Sequence, residues 1–151
     1  MTQAAQKRIS PRLSLSNEER RSLRRAKIKL SEIADFAPED LFEFMGETAS
    51  LDRCRCLVGL AELQRLGSVG PKIAEGFFQI GVYRATELAG QEPVDLYQRL
   101  CQATSEKQDP CVEDVFRCAV AQVEEPDLPI EYHQWWMWTS DRGKPRGRKP
   151  S

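Results

Sequence analysis

Between two apolar helical stretches, the chain sets Gly67-Ser68-Val69-Gly70-Pro71-Lys72, inside "LQRLGSVGPKIAEGFFQIGV" at 63–82. Those residue types, in that order, could hold an anion. Glycines remove the Cβ atoms that would keep a ligand away from the backbone. A helix opening at Pro71 leaves its first N–H groups unpaired, at the positive end of its dipole. A phosphate suits such a place, and Lys72 adds a mobile positive charge. The plainer account is a tight link used only to pack two helices.

Three other groups of residues could do chemistry. Asp109, Glu113, Asp114 and Arg117 suggest an acid–base cluster, but helix capping by Asp109 and surface pairing at i,i+3, Asp114 with Arg117, explain them without catalysis. Trp135, Trp136 and Trp138 could stack on unpaired bases, with basic residues following. Burial against the body, pinning the segment that carries them, is the reading we favour. The five cysteines (Cys54, Cys56, Cys101, Cys111, Cys118) are expected to be reduced, buried and small. Cys54 and Cys56 would point about 200° apart on a helix, and Cys111 and Cys118 would lie roughly 10 Å apart, too far for one zinc. No metal or cofactor is expected, and no Walker loop, nucleophile elbow or HExxH pattern is present.

The charge distribution limits the nucleic-acid reading. Net charge is −1. Residues 1–29 hold nine Lys/Arg against two Glu, and 139–151 hold five against Asp141, while 30–138 carry a net charge of −12. Any binding must therefore be local or carried by the basic ends. No apolar run approaches the roughly 20 residues of a membrane span, and the N-terminus lacks a secretory h-region, so a cytoplasmic protein with no membrane partner is expected.

The elements that must position these residues read as all-α. Residues 1–15 read as a disordered basic arm. Ser16 and Glu19 form a capping box for a helix with a basic face. Pro38 opens a second helix that Gly46 stops, and a third is expected from about 50 to 66. Pro71 opens the next, with Gly81 as its stop, followed by a short helix ending at Gly90 and one opening at Pro93. Asp109 and Pro110 start the last, with Val112, Val115, Phe116, Ala119 and Val123 at helical spacing. About seven short helices result. Pro126 and Pro129 end the series, and 126–151 reads as an extended tail, rich in tryptophan and then basic.

"LQRLGSVGPKIAEGFFQIGVYRATELAG" resembles the helix-hairpin-helix motif, with Leu63, Leu66, Val69, Gly70, Lys72, Ala74, Phe78, Gly81, Val82 and Leu88 in matching places. It departs at Ser68, where that motif usually has glycine. Over roughly 16–142 the chain is similar to bacterial pathogenicity-locus or mitomycin-resistance helix-hairpin-helix proteins, most specifically at "DPCVEDVFRCAV" (109–120) and "WWMWTSDR" (135–142). The resemblance implies tandem, partly degenerate hairpins. Residues 16–62 would be a degenerate hairpin-like subdomain, and 63–125 the hairpin and following helices. It also implies non-sequence-specific binding to DNA or structured RNA, with Gly67, Ser68, Val69, Gly70 and Lys72 at the phosphate, and no catalytic residues. The alternative is a protein-interaction adaptor whose hairpin is purely structural.

Overall fold

The structure, a computed structural model, describes residues 9–145. Among them are six α-helices and four short 3-10 helices, with no strand. The all-α expectation holds. The chain divides into two compact units, one ending at Arg65 and one beginning at Leu66.

The first unit contains α1 (Asn17–Arg25), a 3-10 helix (Leu30–Asp35), α2 (Pro38–Met45) and α3 (Leu51–Leu63). Local chemistry sets their ends. Ser16 Oγ accepts from the Glu19 N–H at 3.0 Å, while the Glu19 carboxylate accepts from the Ser16 N–H at 2.9 Å. Pro38 opens α2 ahead of Glu39 and Asp40, and Ser50 caps α3. Leu23, Ile33, Leu41, Met45, Leu57 and Val58 form the core. α3 stops at Leu63, three residues short of the sequence expectation, because the Arg65 N–H turns back to the Glu62 carbonyl.

Residues 9–15 depart from the disordered-arm expectation; residues 1–8 lie outside the described residues. The Gln64 side-chain amide pairs with both the N–H and the carbonyl of Arg12, each at 3.0 Å, and Leu13 enters the core. One amide thus satisfies both main-chain groups of a residue, which is what an extended segment needs in order to lie against protein.

The second unit contains α4 (Pro71–Gln79), a 3-10 helix (Ala85–Leu88), α5 (Pro93–Thr104) and α6 (Cys111–Glu124). It ends in two more 3-10 helices, Ile130–His133 and Trp135–Asp141. α4 ends with Gly81 at φ +85°; the Val82 N–H reaches the Phe77 carbonyl and the Gly81 N–H reaches Phe78, the doubly bonded left-handed stop. Phe77 of α4 stacks on Phe116 of α6 at 4.8 Å between ring centres. α6 is buried on every side from Glu113 to Ala121 and forms the axis of this unit. The segment after Pro126 is not an extended tail: its two 3-10 helices pack along α6.

Candidate nucleic-acid interface

The turn Gly67–Gly70 belongs to the second unit, and the segment around His133 closes one side of it. The Gln122 amide, from α6, accepts from the Gly67 N–H at 2.7 Å and donates to the Gly67 carbonyl at 3.0 Å. A Cβ on Gly67 would lie 2.7 Å from the Cβ of His133 and 2.8 Å from its carbonyl oxygen. Gly67 is therefore demanded by close approach of protein, not of a ligand.

Ser68 has φ +71°, the left-handed region that usually selects glycine. Its hydroxyl explains why serine stands here. The Oγ donates to the His133 carbonyl at 2.8 Å and accepts from the Trp135 N–H at 3.0 Å. Two hydrogen bonds to otherwise unpaired main-chain groups offset a backbone cost of roughly 1–2 kcal/mol. The departure from the hairpin pattern is thus a fastening for the 133–135 segment. Val69 is buried, with its N–H on the Leu66 carbonyl at 3.1 Å.

The other side of the turn is open. Gly70 precedes α4 with φ −95° and ψ −172°, and no side chain caps the helix. A Cβ on Gly70 would meet nothing within 4 Å. Pro71 has no N–H to offer. Among the described residues, no acceptor lies within hydrogen-bond distance of the N–H groups of Gly70, Lys72 or Ile73. Lys72 is exposed. Of the five sequence-predicted residues, Gly70 and Lys72 thus face outward together, whereas Gly67, Val69 and the Ser68 hydroxyl are committed within the protein.

The acid–base cluster on α6 is deeply buried, which corrects the surface reading. Glu113 and Arg117 are 6% and 4% exposed, and Asp114 is fully enclosed. The expected Asp114–Arg117 pair is not formed. Arg117 instead pairs with Glu113, with Nη2 at 2.9 Å and Nε at 3.1 Å from one carboxylate oxygen, which also accepts from the Gly143 N–H at 2.6 Å. Arg117 also donates to the Lys144 carbonyl. Asp114 takes Arg142, whose Nε donates at 3.1 Å, and the Thr139 hydroxyl at 3.3 Å. The Asp114 carboxylate beside it raises the pKa of Arg142. The N-cap is Pro110 rather than Asp109, one residue later than expected; Asp109, just outside it, accepts from the Cys111 N–H at 3.0 Å, which holds its carboxyl below the usual range.

The buried charges are neutralised in pairs, Glu113 by Arg117 and Asp114 by Arg142, and these pairs hold the 139–144 segment on α6, whereas Asp109 stays exposed. Burial of the acids was hidden from sequence because an i,i+4 Glu–Arg pair looks alike on a surface and in a core. The one available signal was the pairing of "DPCVEDVFRCAV" with "WWMWTSDR", which the structure joins through Asp114 and Arg142.

The tryptophans also differ from expectation. Trp136 is 57% exposed, and Trp135 and Trp138 are half-buried. Polar contacts, not tryptophan burial, fasten this segment; Trp138 Nε1 donates to the Tyr132 carbonyl at 2.9 Å. Of the cysteines, Cys54 and Cys118 are buried, and burial pushes both thiols up, while Cys56, Cys101 and Cys111 are half-buried. Among the described residues no group of His, Cys, Asp or Glu side chains could hold a metal. No helix among them is long and apolar enough to cross a membrane.

These features define a helical protein whose second unit is built on one buried charged helix and the segment latched to it. A model of the pathogenicity locus family, Cdd1, matches residues 57–144, and the chain belongs to that family. The match reaches to Lys144, so it includes both halves of the Asp114–Arg142 contact. The chain is also similar to the mitomycin resistance protein McrB of Streptomyces lavendulae, with 35% identity over 82 residues, covering 54% of this chain and 74% of that one. No solved structure matches.

Proposed function

We propose that the protein binds nucleic acid without sequence specificity, a DNA or structured-RNA phosphate being held at the start of α4. The observation that carries this reading is the outward set of N–H groups at Gly70, Lys72 and Ile73, beside the exposed Lys72 and with no Cβ at Gly70 to obstruct approach. A helix N-terminus with bare N–H groups favours an anion, and a backbone contact reads phosphate, not sequence. On this reading the Gly67–Gly70 turn and α4 serve as the outward half of a helix-hairpin-helix motif. The protein is a binding protein, not an enzyme, and works in the cytoplasm.

The test is a salt-dependent affinity series on single-stranded, duplex and branched DNA. A contact with two to four phosphates gives a log–log salt slope of about −2 to −4 on duplex. Lys72→Glu and Gly70→Val should each weaken binding while leaving the folded state intact, since neither position is packed. Binding that survives both substitutions refutes the α4 site.

A second reading, a protein-interaction adaptor, draws on a different observation. Ile130, Tyr132, Trp136 and Met137 expose apolar surface along one segment, Ile130 to 70%. Exposed apolar groups gathered in one place mark contact surfaces. Partner capture unaffected by Lys72→Glu, with no DNA affinity at low salt, would favour it.

A further inference from the structure

We infer that α1, in the first unit, carries a separate phosphate-binding face made by Arg20, Arg21, Arg24 and Arg25, and that its ligand is the backbone of duplex DNA. The inference rests on the nucleic-acid reading for the identity of the ligand, but uses none of the residues at α4.

Helical geometry places the four guanidinium groups together. At 100° per residue, positions 20, 21, 24 and 25 fall within about 140° of one another. The opposite side of the same helix carries Glu19, Ser22 and Leu23, all buried. All four arginines are exposed, and the exposed Lys27 and Lys29 continue the positive surface beyond the end of α1. Lys27 itself, at φ +59°, turns the chain there.

Among the described residues no ion pair neutralises this face; Glu43 and Glu47 line a shallow cavity with Arg25 without pairing with it. α1 holds two acids, Glu18 and Glu19, both in its first turn. Glu19 is spent on Arg53, whose Nε donates to it at 2.9 Å. Among the described residues, no carboxylate lies within ion-pair distance of Arg20, Arg21, Arg24 or Arg25. Glu18, three residues before Arg21, is the one acid of α1 at pairing distance in sequence from these cations, and it forms no ion pair with them. Here the charge is left for a partner.

The spacing suits a phosphate backbone. Arg20 and Arg24, and likewise Arg21 and Arg25, are separated by about 6 Å along the axis, comparable with the spacing of neighbouring phosphates along one strand. Guanidinium also bonds phosphate through two parallel N–H groups. A membrane surface fits less well. An interfacial helix must sink an apolar face into lipid, and the apolar side of α1, at Leu23, is already inside the first unit's core. An acidic protein fits less well too, because the four-arginine face has no apolar residue at its centre to act as an anchor.

The experiment uses the full chain and a short random-sequence duplex, followed by fluorescence anisotropy across a salt series. Changing all four arginines to Gln, which has nearly the same helix propensity, should reduce affinity at low salt at least tenfold. It should also flatten the log–log salt slope by about 2–4, near one per lost phosphate contact. The pairs Arg20→Gln/Arg24→Gln and Arg21→Gln/Arg25→Gln should each produce about half that change, with an unaltered melting temperature certifying the fold. A quadruple variant that binds the duplex like the unaltered chain overturns the inference. So does an unaltered chain that prefers phosphatidylcholine–phosphatidylserine vesicles or polyglutamate to the duplex and loses those ligands in the variant. Loss with Lys72→Glu but not with the quadruple variant leaves the α4 site standing alone, and the reverse leaves α1 alone. An unaltered chain with no affinity for DNA removes both.

Discussion

Substituting Gly67 by alanine should unfasten the 133–135 segment from the turn. The added Cβ would sit 2.7 Å from a Cβ and 2.8 Å from a carbonyl oxygen of His133, and 3.3 Å from the Gln122 oxygen. The first two belong to the main chain or are fixed directly to it, so no rotamer change relieves them. Overpacking of this kind costs about 1–3 kcal/mol. Four hydrogen bonds depend on the present separation: two between the Gln122 amide and the Gly67 main chain and two at the Ser68 hydroxyl. Loss of one or two of them adds about 0.5–1.5 kcal/mol each. A total near 2–4 kcal/mol, at a urea slope of about 2 kcal/mol/M, moves the unfolding midpoint down by roughly 1–2 M. The assay has a built-in reporter, since all 3 tryptophans of the chain lie at 135–138. Their emission should shift in Gly67→Ala before any denaturant is added. Gly70→Ala is the control: its Cβ enters open space at an unstrained φ, so its stability should stay within about 0.5 kcal/mol of the parent's or rise slightly. If Gly67→Ala unfolds at the parental midpoint with unchanged emission, the segment does not sit on the turn and the account of Ser68 fails with it.

Two further outcomes follow from the buried charges. Arg117→Ala, measured by chemical denaturation, should cost about 3–5 kcal/mol by stranding Glu113 in the interior, whereas replacing both partners together, Glu113→Leu with Arg117→Met, should cost clearly less. In the first unit, hydrogen bonding to Arg53 first, then to Ser16, depresses the Glu19 pKa. A depressed carboxyl stabilises the fold in full above its unfolded value, about 4.3, and loses that contribution as pH falls through the folded value. Glu19→Gln should therefore lower stability at neutral pH and flatten the acid limb of the stability–pH curve; a limb as steep as the parent's would refute the assignment.

Helix starts and stops were legible in the sequence because their causes are local. Ser16 meets Glu19 three residues on, Pro38, Pro71 and Pro93 occupy first positions, and Gly81 takes its left-handed stop from the residues just before it. What sequence did not disclose depends on residues far along the chain. Asp114 is interior because Arg142 arrives 28 positions later, and Gly67 because His133 arrives 66 later. The 3-10 segments after Pro129 have a periodicity too short and irregular to read as helix.

The two glycines of the turn show how far this matters for function. In sequence they are equivalent, each a residue that lets something come close. In the fold Gly67 is fully accounted for by His133 and Gln122, so its presence says nothing about a ligand. At Gly70 the backbone lies where any residue could, a Cβ would touch nothing, and the next N–H groups have no partner in the described residues. Packing supplies no reason for glycine there. Close approach from outside does supply one, and that is the reason the proposed phosphate contact rests on Gly70 and Lys72 rather than on the whole turn.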